Sequence, residues 1–256
     1  MAAPSDMRTW GIVDEAVLAR LVIVSPHLDD AVLSCGQLLS AWPGATVVTV
    51  FAGNPAAYPS PQRVWDTQSG FAPDDDVMAA RRAEDHVALA VLGAAPTHLP
   101  FVEYSYNDGD RAVAPDVIVP ALLDAIAAAD PTAVLVPFGL ANPDHDVAHR
   151  AAMLARDAAP FSTPWFAYED CGYKHIPGML AWRVSQLFHA GVWPTPACPR
   201  IDVSIDRKLA AVRCYPSQLR ALDDDWDITT KLIAPAPEQY WQLAAPPTGW
   251  EGLSER

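Results

Sequence analysis

Short apolar runs alternating with helix-forming stretches constrain this chain more than any other feature. Leu21 to Val24 is apolar throughout, Ala45 to Phe51 is β-branched and apolar, and Ala133 to Val136 is again continuous; Thr97 to Phe101 is a weaker strand candidate. Between them, Asp29 or Asp30 can start a helix that runs to about Trp42 and stops at Pro43 and Gly44. Asp75 to Leu92 consists of helix formers and ends at Gly93, and Asp116 to Ala129 is an Ala-rich helix. Strands this short, separated by helices, pair in parallel, because a crossover helix lets neighbouring strands run the same way. The expected fold is therefore α/β: a doubly wound, Rossmann-like, mainly parallel sheet with helices on both faces. Beyond Pro160 the pattern weakens. Trp165 to Tyr168 and Ile201 to Ser204 read as further strands and Asp206 to Cys214 as a helix, while the Pro- and Trp-rich last forty residues have no clear pattern, so the C-terminal part is expected to be less regular. The 25 prolines punctuate loops and form no tract; with no linker or repeat, residues 1–256 read as a single domain.

Composition removes several classes of function. An apolar content of 51% supplies a core and argues against disorder. No run approaches the roughly 20 apolar residues of a membrane helix, and Met1 to Asp6 lacks the basic and apolar segments of a signal peptide, so no membrane role and a cytoplasmic location are expected. Seventeen Lys and Arg against 31 Asp and Glu give a formal charge of −14, which repels a phosphate backbone, so no nucleic-acid partner is expected. Cys35, Cys171, Cys198 and Cys214 form no Cys-x-x-Cys pair and read as reduced thiols.

A doubly wound sheet binds ligands outside the carboxyl ends of its strands. After Val24 come Ser25, Pro26, His27, Leu28, Asp29 and Asp30; after Val136 comes the stretch containing Asn142, Pro143, Asp144, His145, Asp146 and His149. Imidazoles and carboxylates gathered at one end of the sheet suit a divalent metal such as zinc, and two His with one Asp leave coordination positions open, as in a catalytic site. Singly, each residue has a blander reading: Asp29, Asp30 or Asp144 as a helix cap, His27 as a loop histidine. Together, at two strand ends that this topology brings near each other, they favour the metal.

Pro26-His27-Leu28-Asp29-Asp30 resembles the Pro-His-Pro-Asp-Asp signature of the PIG-L/LmbE family of zinc-dependent N-acyl deacetylases, and Pro143-Asp144-His145 resembles the end of its His-Pro-Asp-His signature. Arg81 and Glu84 match its Arg-x-x-Glu pattern, Tyr168-Glu169-Asp170 a Tyr-Glu-Asp segment of bacterial members, and Lys208, Ala211, Tyr215, Ser217 and Gln218 its C-terminal stretch. The matches keep the family's order over about three-quarters of the chain. The resemblance implies that His27, Asp30 and His145 hold the zinc, with Fe2+ or another divalent ion as alternatives, and that Asp29 is the general base. It implies a substrate-gripping role for Arg81, which Glu84 would fix, although a surface salt bridge and neighbouring Arg82 compete for that assignment. Tyr168, with Tyr104 and Tyr106, is expected to line the site. Zinc acidifies its bound water and polarises the amide carbonyl, so that Asp29 can take a proton and return it to the departing amine.

Two positions depart from the family pattern. Ala31 stands where Glu is usual. Asn142 stands where the family has the oxyanion-stabilising His; an amide donates a hydrogen bond but carries no charge, and losing one such donor costs on the order of 100-fold in turnover. Asn142 is therefore expected to do this work neutrally, or His149 or His175 supplies the cation, or the chemistry has drifted. His149, one turn beyond His145, is left out of the ligand set, with a partly exposed helix position as its competing reading. The acidic run Asp223, Asp224, Asp225 and Asp227 is read as a solvated face, not a calcium site.

The expected function is removal of an acetyl or short acyl group from an amino sugar or amino-sugar-containing small molecule, in secondary metabolism for example. An amidase for a thiol-sugar conjugate and a family member with lapsed chemistry are the alternatives. A nucleotide-binding sheet protein is disfavoured because Ser25 to Asp30 present acids where a Gly-rich phosphate loop would lie. The Pro/Trp-rich tail is open to covering the pocket or making a subunit contact in a homo-oligomer.

Overall fold

The computed structural model describes residues 11–107, 113–233 and 237–249. Met1 to Asp6 and the side chain of Asp225 in the acidic run lie outside what it describes. The sheet contains β1 (Leu21–Ser25), β2 (Thr46–Thr49), β3 (Ala95–His98), β4 (Ala133–Pro137), β5 (Trp165–Tyr168), β6 (Trp193–Ala197) and β7 (Tyr240–Ala244). Their spatial order is β3-β2-β1-β4-β5-β7-β6; the first five are parallel, and β7 and β6 are antiparallel additions. The helices are α1 (Asp30–Ala41), α2 (Val64–Gln68), α3 (Val77–Leu92), α4 (Pro115–Ala128), α5 (Pro143–Ala158), α6 (Met179–His189), α7 (Asp206–Val212), α8 (Pro216–Trp226) and α9 (Ile228–Ile233).

The continuous apolar runs follow from burial on both faces. Side chains alternate across a strand, so Leu21, Ile23, Val47, Ala133 and Leu135 join one core with α1, α3 and α7. Val22, Val24, Val48, Val134 and Val136 join the other with α4, α5 and α6. The sheet is thus doubly wound, as its sequence pattern predicts.

The differences from expectation lie at the sheet edges. β3 begins two residues before Thr97 and ends at His98, because an edge strand with one pairing partner is only half-buried and its apolar signal is weak. Ile201 to Ser204 is not a strand; Ser204 Oγ instead accepts from the Asp206 N–H at 3.1 Å and opens α7, which ends at Val212, short of Cys214. The strand before it is β6, hidden in the sequence by Pro194 and Pro196. Alternate residues of an edge strand turn their N–H positions away from the sheet, so two prolines spaced by two remove no ladder hydrogen bond.

Helix α1 breaks at Cys35 (φ −132°, ψ 16°). The N–H groups of Gln37 and Leu38, just past the break, donate to the two carboxylate oxygens of Glu238 at 2.9 and 3.1 Å. Glu238 in turn accepts from the buried Lys208 Nζ at 2.6 Å. Gly36 permits this approach, since a Cβ there would lie 2.6 Å from Lys208 Cγ.

Candidate active site

The polypeptide leaves β1 into α1 on one face of the sheet and leaves β4 into α5 on the other, although β1 and β4 are paired neighbours. A crevice opens where the winding reverses. It holds a cavity of about 200 Å³ lined by His27, Asp29, Asp30, Arg81, Asn142 and His145, among others. The turn after β1 is stapled by Ser25, whose hydroxyl donates to the His27 carbonyl at 2.6 Å and accepts from the Ala31 N–H at 3.0 Å.

Asp30 Oδ2 is the focus of the site. It lies 3.2 Å from His27 Nδ1 and 3.1 Å from His145 Nε2, and accepts from the His27 backbone N–H at 2.9 Å. One ligand atom from each of His27, Asp30 and His145 lies within 4.8 Å of the others, and this is the single cluster of its kind among the described residues. The far nitrogen of each imidazole is held by a buried carboxylate: His27 Nε2 by Asp144 Oδ2 at 3.0 Å, His145 Nδ1 by Asp170 Oδ1 at 2.6 Å. Those carboxylates are themselves fixed, Asp144 by the Tyr104 N–H and Asp170 by the Gly139 N–H at 3.0 Å. A carboxylate behind a metal-binding imidazole sets its tautomer and raises its basicity. The donor set therefore fits a divalent cation facing His27 Nδ1, His145 Nε2 and Asp30.

The electrostatics agree with the geometry. Burial and the neighbouring charge of Asp30 raise the Asp29 carboxyl to about 7, suited to moving a proton at neutral pH. Asp30 is held far below the carboxylate range: burial opposes this, but the charges and hydrogen bonds of His145 and His27 outweigh it. Burial would lower His145, yet Asp30 and Asp170 raise it to about 9. The same convergent negative charge that holds protons on these imidazoles attracts a cation, and the two compete.

The expected residues divide as follows. His27, Asp29, Asp30, Arg81, Asn142 and His145 line one cavity. Asp29 occupies the position before α1 without a side-chain cap, and Asn142, not Asp144, caps α5, its Oδ1 accepting from the Asp144 N–H at 2.8 Å. Arg81 is no surface salt bridge: only 4% exposed, it reaches Asp66 at 3.0 Å and Glu103 at 3.2 Å. Glu84 does not fix it, because Glu84 is occupied with the Ser217 N–H and hydroxyl, while Arg82 turns to the Ala52 carbonyl and Asn54. Tyr168 is a correction. Expected at the site, it is fully buried in the core beside α1, its hydroxyl donating to the Val24 carbonyl at 3.0 Å, because strand alternation turns it under the sheet. Tyr104 lines the cavity; Tyr106 stands behind it, donating to Asp66 at 2.8 Å.

His149 is buried, not partly exposed. Its Nδ1–H donates to the Pro137 carbonyl at 2.8 Å, and burial together with Arg183 lowers its pKa to about 4, so it supplies no cation to the cavity. His175 lines a separate small depression with Lys174 and Glu238. Asp223 accepts from the Thr229 N–H at 2.7 Å and so joins α8 to α9. Sequence reasoning missed Asp170 and Tyr173 as site residues. The position of Asp170 at the end of a strand paired with β4 was the available signal; Tyr173, in a short turn, gave none.

Residues 22–156, just over half of the chain, match the PIG-L family, described as GlcNAc-PI de-N-acetylase. No curated protein sequence matches. Among solved structures, the A40926 pseudoaglycone deacetylase Dbv21 is 28% identical, covering 90% of this chain and 100% of its own at a TM-score of 0.70. The zinc-inhibited form of teicoplanin deacetylase Orf2 is 26% identical, with the same coverages and a TM-score of 0.67. N,N'-diacetylchitobiose deacetylase from Pyrococcus horikoshii, at 17% identity, 84% and 77% coverage and a TM-score of 0.53, shares the fold.

Proposed function

Because the chain belongs to the PIG-L family, we propose that it is a zinc-dependent hydrolase that removes an acetyl or short acyl group from the nitrogen of an amino sugar carried on a small-molecule glycoconjugate. The observation that carries this reading is the convergence of His27, Asp30 and His145 on one point of a cavity that also holds Asp29. Relatives that deacetylate glycopeptide antibiotics support a substrate from secondary metabolism. Four unpaired cysteines accord with a reducing, cytoplasmic setting.

His27 through Nδ1, His145 through Nε2 and Asp30 would hold the ion, with Asp144 and Asp170 orienting the two rings. When bound, a divalent cation activates water and polarises the amide carbonyl. Asp29, 8% exposed and beside the cluster, takes the proton of the attacking water and delivers it to the amine nitrogen as the C–N bond breaks. Arg81, locked between Asp66 and Glu103, presents a fixed cationic wall to the sugar hydroxyls.

The test is acetate release from N-acetylglucosaminyl glycosides by zinc-loaded protein, with and without a chelator. Turnover abolished by chelation and restored by zinc supports the reading; activity indifferent to metal removal overturns it. Asn142 favours a second reading, a member with lapsed chemistry. Inactive wild type gaining activity on Asn142→His would establish it.

A further inference from the structure

Arg63 is a cation without a counterpart. It immediately precedes α2 and lines the cavity together with Trp65, Asp66 and Arg81. Its Nε is buried with no hydrogen-bond partner, and its guanidinium forms no ion pair among the described residues. The other described arginines that are not exposed are all engaged: Arg81 with Asp66 and Glu103, Arg82 with the Ala52 carbonyl and Asn54, Arg156 with Asp157 and the Leu243 carbonyl, Arg183 with Asp146 and the Gly139 carbonyl. Two acids that line the same cavity are already occupied. Asp66 accepts from Arg81 and the Tyr106 hydroxyl, and Glu103 from Arg81 and the Ser105 hydroxyl. The backbone around Arg63 is nevertheless fixed: Gln62 Nε2 donates to the Phe71 carbonyl at 3.1 Å, the Arg63 carbonyl accepts from the Thr67 N–H at 3.1 Å, and Asp66 is pinned three residues on. A buried donor left unpaired is rare and costly in a folded protein, so one held ready in a cavity wall calls for an acceptor from outside the chain.

We propose that Arg63 binds a carboxylate carried by the substrate beyond its amino sugar, so that the protein selects acidic N-acyl glycoconjugates, an assignment that rests on the deacetylase reading above. A guanidinium offers its N–H donors in a planar fork that matches the two oxygens of a carboxylate. The unpaired Nε is one arm of such a fork. The charge of the cavity itself favours a carboxylate over a phosphate: Asp29, Asp30, Asp66 and Glu103 line it, and they oppose a doubly charged group more than a singly charged one. The two cations of the cavity thus have different tasks. Arg81, compensated by two carboxylates, meets neutral hydroxyls, while Arg63, compensated by none, meets charge.

Two measurements on zinc-loaded protein test this. Acetate release is compared between meta- and para-carboxyphenyl N-acetylglucosaminides and their uncharged carbamoyl counterparts, and binding of the corresponding free amines, which cannot be turned over, is followed calorimetrically. Wild type should bind at least one carboxylate amine about 10-fold or more tightly than its carbamoyl counterpart and show the same preference in kcat/KM. Arg63→Gln should abolish both preferences, and Arg63→Lys, which keeps the charge but not the fork, should retain part of them. Because the Arg63 side chain bonds to nothing among the described residues, Arg63→Gln should keep the wild-type urea midpoint, which loss of a structural arginine would lower. No preference in wild type, or one that persists in Arg63→Gln, overturns the proposal; tighter binding of the para-phosphonophenyl amine overturns the choice of a carboxylate. Amines bound with an Arg63-dependent preference, yet no acetate released from any glycoside, would sink the deacetylase reading while leaving the carboxylate assignment standing.

Discussion

Replacing Asp170 by Asn changes one atom and sets two buried hydrogen bonds against each other. The carboxylate accepts from His145 Nδ1–H at 2.6 Å and from the Gly139 N–H at 3.0 Å, and is almost wholly buried. An Asn offers one acceptor and one donor group. If its oxygen keeps His145, its NH2 confronts the Gly139 N–H; if its oxygen keeps Gly139, its NH2 forces His145 to carry its proton on Nε2, the nitrogen that faces Asp30 and, under the proposed function, would bind the metal. The first arrangement leaves a buried donor unpaired, at about 1–3 kcal/mol. The second blocks a ligand atom. Loss of such a partner behind a ligating imidazole typically lowers metal affinity about 10–100-fold, which corresponds to about 1.4–2.8 kcal/mol. Zinc affinity, measured by competition with a chromophoric chelator, should fall within this range in Asp170→Asn, and urea unfolding of metal-free protein should show any remaining loss. Wild-type zinc affinity together with unchanged stability would refute the assignment of Asp170 as the group orienting His145.

Other outcomes follow from the same geometry. Asp29→Ala should keep bound zinc and lose about 100-fold or more of turnover, whereas His145→Ala should lose both; metal analysis beside acetate assays separates them, and a fully active Asp29→Ala would remove Asp29 from the mechanism. Gly139 has φ +72°, and a Cβ there would lie 2.5 Å from His149 Cβ and 2.6 Å from the His145 carbonyl oxygen, so Gly139→Ala should cost at least about 2 kcal/mol in urea unfolding; a loss below about 0.5 kcal/mol would contradict it. His149 titrates near 4 in the folded protein and near 6.5 when unfolded, so the unfolded chain binds its proton first as pH falls. Its contribution is complete above about pH 6.5 and is lost as pH falls to about 4, by about 3 kcal/mol; stability of His149→Gln should decline correspondingly less over that window, and parallel curves would rule this out.

The parallel half of the sheet was legible because each of its inner strands is apolar on both faces, so the pattern needs no knowledge of partners. The edges were not: β6 carries two prolines that only an edge tolerates, and β3 is half-exposed. That His27, Asp30 and His145 meet could be read because topology places two strand ends side by side. Tyr168 misled because a sequence motif gives proximity along the chain but not the face of the strand. Asp66 and Glu103, which grip Arg81 across 15 and 22 residues, leave no periodic trace, and helical spacing pointed to Glu84 instead.

The interruption in α1 ties the start of the chain to its distant end. Asp30 sits in the first turn of that helix, and the turns behind it are anchored by Glu238, 201 residues from Gln37. The region matching the family stops at residue 156 and so does not contain the brace for the helix that carries Asp30. Trimming the protein to that region would remove Glu238 and Lys208 together and strip the acceptors from the Gln37 and Leu38 N–H groups, so the reaction centre and the distal tail should be lost together.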